Sequence, residues 1–197
     1  MRRSRSLAAA VAAAALLAAG CTPDPQPTAS PTPSPTFSCS TSTVTDPCTP
    51  EKAQKEKEQA AAVAASTNAY KAFYAEYIKV TRAGGAIEPT PTMKRYAAGP
   101  YLSAFAGYVA QIHKQKLRYT GDFEVDTPKF EPGLHRSDSP ATELTFTFCV
   151  DGRQNRIIDG SGKVVGHGLL IKGTMYFRQI DNDWKIWESD DQQASRC

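Results

Sequence analysis

Leu144-Thr145-Phe146-Thr147-Phe148-Cys149-Val150-Asp151 is the stretch whose reading decides the fold. Successive side chains of a strand point to opposite faces, so Leu144, Phe146, Phe148 and Val150 share one face and Thr145, Thr147 and Cys149 the other. An apolar row backed by a mixed one is the pattern of an antiparallel strand covered on one side. Downstream, Leu169 to Ile180 reads as a long apolar strand, Asp181-Asn182-Asp183 as a turn, and Trp184 to Glu188 as the returning last strand. Residues 151–168 carry Asp159-Gly160-Ser161-Gly162 and read as a loop or short hairpin. Just upstream, Leu117, Tyr119, Phe123 and Val125 alternate in the same way.

Before Leu117 the period is near 3.6. Thr49-Pro50-Glu51 predicts a helix start, with Thr49 as cap, Pro50 at the first helical position and Glu51 complementing the dipole. Residues 51–59 are charged all round and predict a solvated extension. Val63, Thr67, Tyr70, Phe73, Tyr74, Tyr77, Ile78 and Thr81 then form a stripe facing a core, and Gly84-Gly85 ends the helix. A second helix is expected from Thr92 as cap to Ala98, and a third from Pro100 to about Lys116, with Leu102, Phe105, Val109 and Ile112 on one side. Helices first and strands afterwards specify an α+β class: three N-terminal helices packed on a curved antiparallel sheet.

The chain ahead of this domain has another composition. Residues 22–50 hold eight of the fourteen prolines, set among Ser and Thr. Proline removes donors and fixes φ, so residues 21–48 read as an extended, disordered tether and residues 49–197 as the domain. Ahead of the tether lie Arg2, Arg3 and Arg5, then an apolar run from Leu7 to Ala19. That run is too short for a membrane span, which needs about 20 residues. The run, its charged start and the small residues Ala18-Ala19-Gly20 before Cys21 resemble a bacterial lipoprotein signal peptide over residues 1–20. The resemblance implies cleavage before Cys21, lipidation of its sulfur, and a place on the outer face of the cell membrane. A plain secretory signal would not need Cys at that position, and Arg2-Arg3-Ser4-Arg5-Ser6 matches twin-arginine export poorly.

The formal charge of +3 rests on those arginines. Without them 20 basic residues face 20 acidic ones, so the mature chain is neutral and has no footprint for nucleic acid. Cys39, Cys48, Cys149 and Cys197 remain, and an even number in an exported chain argues for disulfides. Of three possible pairings, nearness and the position of the last residue favour Cys39–Cys48 and Cys149–Cys197. The second closes a loop worth roughly 4 kcal/mol in the chain-entropy account.

The order of elements, with Phe148-Cys149-Val150-Asp151, Asp159-x-x-Gly162, Trp184-Lys185-Ile186 and the terminal Cys197, resembles the NTF2-like superfamily, a cone of three helices wrapped by a bent sheet. More narrowly it looks like actinobacterial lipoproteins that carry such a domain behind a Pro/Thr linker. The resemblance implies an apolar pocket between helices and sheet, with Tyr70, Tyr74, Tyr77 and Phe105 as its expected wall. It does not choose between catalysis, ligand binding and scaffolding.

Catalytic candidates read weakly. His113 sits at a basic helix end, His135 in a Gly-Leu-His-Arg-Ser-Asp loop, and His167 between two glycines without a partner. Asp122 follows Gly121, yet Phe123 and Val125 claim the inner face. There is no G-x-S-x-G elbow, phosphate loop or dinucleotide fingerprint, so neither a catalytic residue nor a cofactor is assigned. Zinc and EF-hand spacings are missing too, and Asp181, Asp183, Asp190 and Asp191 read as a solvated turn and tail. The expectation is a lipid-anchored, non-enzymatic interaction or scaffold module of the cell envelope. A binder of an apolar small molecule is the alternative, and an isomerase- or hydratase-like enzyme the third. Expected partners are the membrane, through the anchor, and an unidentified envelope protein or apolar molecule.

Overall fold

Helix α1 (Pro50–Arg82) opens where the sequence predicts: the Thr49 side chain accepts from the Lys52 N–H, and Pro50 occupies the first turn. The computed structural model describes residues 37–41, 43, 45–134 and 144–197. Cys21 and the signal therefore lie outside the described residues, as do most of the tether and His135. At about 1.5 Å per residue α1 is about 50 Å long. Its fully buried positions run from Ser66 to Thr81 and include Tyr70, Phe73, Tyr74 and Tyr77.

The early turns of α1 are not solvated on every side. Cys39 and Cys48 are disulfide-bonded, and the loop they close lies on this part of the helix. Glu56 accepts from the Ser40 N–H at 2.7 Å, the Ser40 hydroxyl at 2.7 Å and the Thr41 hydroxyl at 2.6 Å. These donors hold its carboxyl down at about 2. Lys52 bridges to the Asp46 carboxylate at 2.6 Å and donates to the Thr41 carbonyl. Sequence reading missed this because each partner, taken alone, is a polar residue in a polar segment.

Helix α2 (Pro91–Tyr96) is capped by Thr90, whose side chain accepts from Met93 N–H, and not by Thr92. Pro91 explains the shift: its ring suits the first helical position and keeps the residue before it extended. Helix α3 (Gly99–Lys114) buries Tyr101, Val109 and Ile112. After α1 the chain turns tightly against α3, with the Ala86 N–H donating to the Val109 carbonyl at 3.1 Å. Gly85 makes this possible: its φ is +78°, and a Cβ there would lie 2.3 Å from the Val109 oxygen.

Two antiparallel sheets follow. The smaller has the order β1-β5-β6, from β1 (Arg118–Thr120), β5 (Arg156–Ile158) and β6 (Val164–His167). The larger runs β2-β4-β7-β8, from β2 (Glu124–Val125), β4 (Leu144–Asp151), β7 (Leu170–Ile180) and β8 (Asp183–Gln193), with β3 (Lys129–Phe130) also on β4. Glu124 pairs with Asp151 and Lys129 with Thr147, so β2 and β3 lie along β4 with one extra residue between them, at Asp126-Thr127-Pro128. The expected loop or hairpin over residues 151–168 is a hairpin, β5–β6. The last strand reaches Gln193 instead of ending at Glu188, so Asp190 and Asp191 belong to a strand and not to a tail. Asp190 faces Thr174 and accepts from the Tyr176 hydroxyl at 2.9 Å.

Phe146, Phe148 and Val150 join the main core with Met175, Phe177 and Ile186, while Cys149, in the alternate row, is bonded to Cys197. The Arg153 guanidinium braces the same end, gripping the Asp151 carboxylate and donating to the Ser195 carbonyl at 3.2 Å. Asn155 knits the two sheets together: it is fully buried, and its amide donates to the carbonyls of Asp122 at 2.6 Å and Gly152 at 3.1 Å.

Burial raises the hydroxyls of Tyr70, Tyr74, Tyr77, Tyr101 and Tyr119 above the ordinary tyrosine value of 10.0. An unfolded chain loses these protons near that value and the folded one keeps them, so stability is full below it and falls as pH rises beyond it. An ultraviolet titration at about pH 11 should therefore leave these five phenols protonated, and further ionisation should coincide with loss of the circular dichroism signal. Free titration of all tyrosines in folded protein would contradict the burial described. A second expectation separates two neighbours. The Tyr70 hydroxyl is buried without a hydrogen-bond partner, whereas Tyr74 accepts from the Tyr101 hydroxyl at 3.2 Å. In urea denaturation Tyr70→Phe should be neutral or stabilising, and Tyr74→Phe should cost about 1 kcal/mol.

Candidate functional site

Between the two helices and the two sheets lies a cleft of about 530 Å³. From α1 it takes Tyr74 and Tyr77, one turn apart on the buried stripe. Helix α3 supplies Ala104, Phe105 and Tyr108, which helical spacing places on adjoining faces. The small sheet gives Tyr119 and Ile157, and the large one Val150 and Ile171, with Phe123 in the link between the sheets. His167 at the end of β6 and the connection Gly168-Leu169 to β7 close one side, and Asp191 of β8 completes it. Gly168 sits where only hydrogen fits, because a Cβ would lie 2.1 Å from the Gly152 carbonyl oxygen.

Tyr77 is the hub of the wall. Its ring centroid lies 5.3 Å from Phe105 and 5.9 Å from Phe123, both nearly edge-on, and 6.2 Å from Tyr108. Such edge-on contacts suit the ring quadrupole and add about 0.5–1.5 kcal/mol each beyond area burial. The hydroxyls of Tyr108 and Tyr119 are hydrogen-bonded to each other. One must donate and the other accept, and the Tyr77 hydroxyl also reaches Tyr108, so the three hydroxyls form one group. The charged or titratable imidazole and carboxylate of the cleft, His167 and Asp191, are both exposed. The buried surface is thus ring and aliphatic carbon with tyrosine hydroxyls.

Tyr74, Tyr77 and Phe105 of the expected wall line this cleft. Tyr70 does not: it lies in the core, with its ring 4.7 Å from Tyr74 and 6.2 Å from Phe148. Tyr108, Tyr119 and Phe123 complete the aromatic lining, and sequence reading did not single out Tyr119 and Phe123 as wall residues. Their signal was present, since both belong to the alternation beginning at Leu117, but that pattern does not tell core from cleft. His113 is exposed at the end of α3. Asp122, 92% exposed, meets the Arg82 guanidinium at 3.3 Å. His167 and Asp191 share the cleft rim although nothing in the sequence joins them.

Asp126, Cys149 and Cys197 bring a carboxylate and two sulfurs together on the outer side of the large sheet. Both sulfurs are spent in the disulfide, so no thiolate is left to hold a cation. Among the described residues no helix is long and apolar enough to cross a membrane.

No known family matches the chain, and no curated protein matches it. Among solved structures, the intermembrane-space region of the chloroplast protein ARC6 is similar at 15% identity with a TM-score of 0.38, over 62% of this chain and 97% of that one. A protein from Xanthomonas campestris, described as a calcium/calmodulin-dependent protein kinase II association domain, is similar at 10% identity with a TM-score of 0.25, over 76% of this chain and 91% of that one. At these scores neither likeness assigns a family or a function.

Proposed function

We propose that the chain is a lipid-anchored protein of the outer face of a bacterial cell membrane, and that its domain, of the NTF2-like cone type found in actinobacterial lipoproteins, binds a small, largely apolar molecule. The anchor rests on Cys21 and the signal before it. Two disulfides support the location, because such bonds persist in oxidising compartments. The helix-first order and the two bent antiparallel sheets support the cone.

The observation that carries the binding reading is the cleft itself. Its volume of about 530 Å³ falls within the roughly 300–1,000 Å³ usual for ligand sites. A buried charge on the ligand would find no opposite charge in the ring-lined floor, so the buried part is neutral. The hydroxyls of Tyr77, Tyr108 and Tyr119 suit a carbonyl, ether or hydroxyl oxygen on that part. A scaffold module would be favoured by an aromatic patch exposed on the sheet. Among the described residues the large exposed apolar ones are mostly aliphatic, and the two aromatic ones, Phe37 and Tyr108, lie outside the sheets. An isomerase-like reaction would want an acid or base buried in the cleft, whereas His167 and Asp191 sit on its exposed rim.

Two outcomes are expected. Cys21→Ser should move the protein from the membrane fraction to the medium, and retention on the membrane would sink the anchor. The same released protein should enhance the fluorescence of the neutral probe N-phenyl-1-naphthylamine saturably. Ala104→Trp, at an exposed helix position lining the cleft, should weaken that binding by about tenfold or more. Equal binding by both proteins would place the probe elsewhere and remove the support for a ligand cleft.

A further inference from the structure

Strand register explains why one carboxylate of β8 belongs to the cleft. Phe148 pairs with Gly173 and Gly173 with Asp191. The alternate rows on either side join Val150 to Ile171 and Phe146 to Met175. Opposed residues of an antiparallel pair lie on one face, and alternate rows share it. Phe146, Phe148, Val150 and Met175 are core residues and Ile171 lines the cleft, so Asp191 stands on the inner, apolar face of the large sheet. The lysines of that sheet lie on the other face. Lys129 pairs with Thr147 and Lys172 with Cys149, and both line the outer groove beside the Cys149–Cys197 bond. Asp190, one residue before Asp191, is on that outer face too, opposite Thr174. Among the described residues no Lys or Arg lines the cleft. Asp191 accepts from the Ser189 hydroxyl at 2.7 Å, and among the described residues no cation pairs with it. One hydroxyl fills only part of what a carboxylate can accept. Burial raises the Tyr74 hydroxyl most and its contact with Tyr101 next, and the Asp191 charge adds to them, so the field of this carboxylate reaches the cleft wall.

We infer that the cleft takes an amine: its ligand carries an ammonium group at the mouth, paired with Asp191, on an apolar body that fills the ring-lined floor. This deepens the ligand-binding reading and rests on it. The two parts of such a molecule match the two parts of the site. Its neutral carbon skeleton packs on Tyr77, Phe105 and Phe123. Its N–H groups stay at the exposed rim, where they keep part of their water while donating to the carboxylate in a charge-assisted hydrogen bond. The aromatic lining works in the same direction, because ring faces attract cations. His167, the other group of the rim, offers an amine no opposite charge. An acid of the same shape would meet a like charge at Asp191 and no lysine or arginine to offset it.

The test uses the released chain carrying Cys21→Ser, loaded with the neutral probe N-phenyl-1-naphthylamine, and three competitors of one shape: naphthylmethylamine, naphthylmethanol and naphthoate. The amine should displace the probe at a concentration about three- to fivefold below the alcohol, as suits an exposed ion pair, and naphthoate should be the weakest. The amine's advantage should shrink as salt is added. Asp191→Asn should bring the amine level with the alcohol without moving the alcohol itself, which also shows that the variant is folded. Asp191→Lys should reverse the order and favour naphthoate. Asp190→Asn, which keeps an acceptor for the Tyr176 hydroxyl on the outer face, should leave the order as it is. Two results overturn the inference and spare the cleft: equal displacement by all three competitors, or a loss for the amine in Asp190→Asn as large as in Asp191→Asn. A probe that does not bind, or that none of the three displaces, removes the ligand reading and the amine with it.

Discussion

The aromatic seam of α1 is the contact on which the rest depends. Tyr70, Phe73, Tyr74 and Tyr77 fall at successive i, i+3, i+4 and i+7 positions, and between them the rings reach several elements. Tyr70 meets Phe148 of β4, Phe73 meets Tyr101 and Phe105 of α3, and Tyr77 meets Phe123 between the sheets. One helix face thereby holds the large sheet, the third helix and the inter-sheet link at once. Removing a ring here would separate layers as well as open a void, which for Phe or Tyr to Ala costs about 3–5 kcal/mol. Rings that meet edge-on cannot close every gap between a straight helix and two sheets. The space left beyond Tyr77 is the cleft.

The same seam explains what the sequence could disclose. Periodicity reports burial, and it placed the first helix, the α+β order and the face of β4 that carries Phe146 and Phe148. The two disulfides were legible because four cysteines have few partners to choose from. Cleft walls were half legible: Tyr70 and Tyr77 share one stripe, and only the position of Phe148 beside the first and Phe123 beside the second tells core from cavity. The strand to Gln193 was hidden by its composition. Glu188-Ser189-Asp190-Asp191 has the polarity of a tail, yet the backbone pairing to Ile171–Tyr176 and the Cys197 bond hold it in the sheet. Strand identity there comes from the ladder and not from side-chain preference. β3 escaped for a similar reason, since two residues after Pro128 carry no period.

The Cys39–Cys48 loop changes how the early part of α1 is understood. A charged helix segment has little reason to persist alone, because propensity contributes a few tenths of a kcal/mol per residue and nucleation is costly. Here the loop satisfies Glu56 with three donors and sets Lys52 against Asp46, so the segment is braced by a local partner instead of by the core. The bracing is electrostatic and exposed, hence weaker and more salt-sensitive than the seam. Its contribution is to hold the first turns of α1 in place.

α1 therefore has two ends with different chemistry. Its start carries the polar brace made by the Cys39–Cys48 loop. Its last turns carry Tyr77, the Gly85 turn against α3, and Arg82, which donates to the Gly121 carbonyl at 2.6 Å beside the small sheet. A side chain added at Gly85 would push α3 away and with it Phe105 and Tyr108, while the brace at the other end would feel nothing. Cleft geometry is thus set by backbone contacts at one end of a long helix, and the loop brace by side-chain contacts at the other. That separation leaves the cleft free to change its lining without loosening the brace.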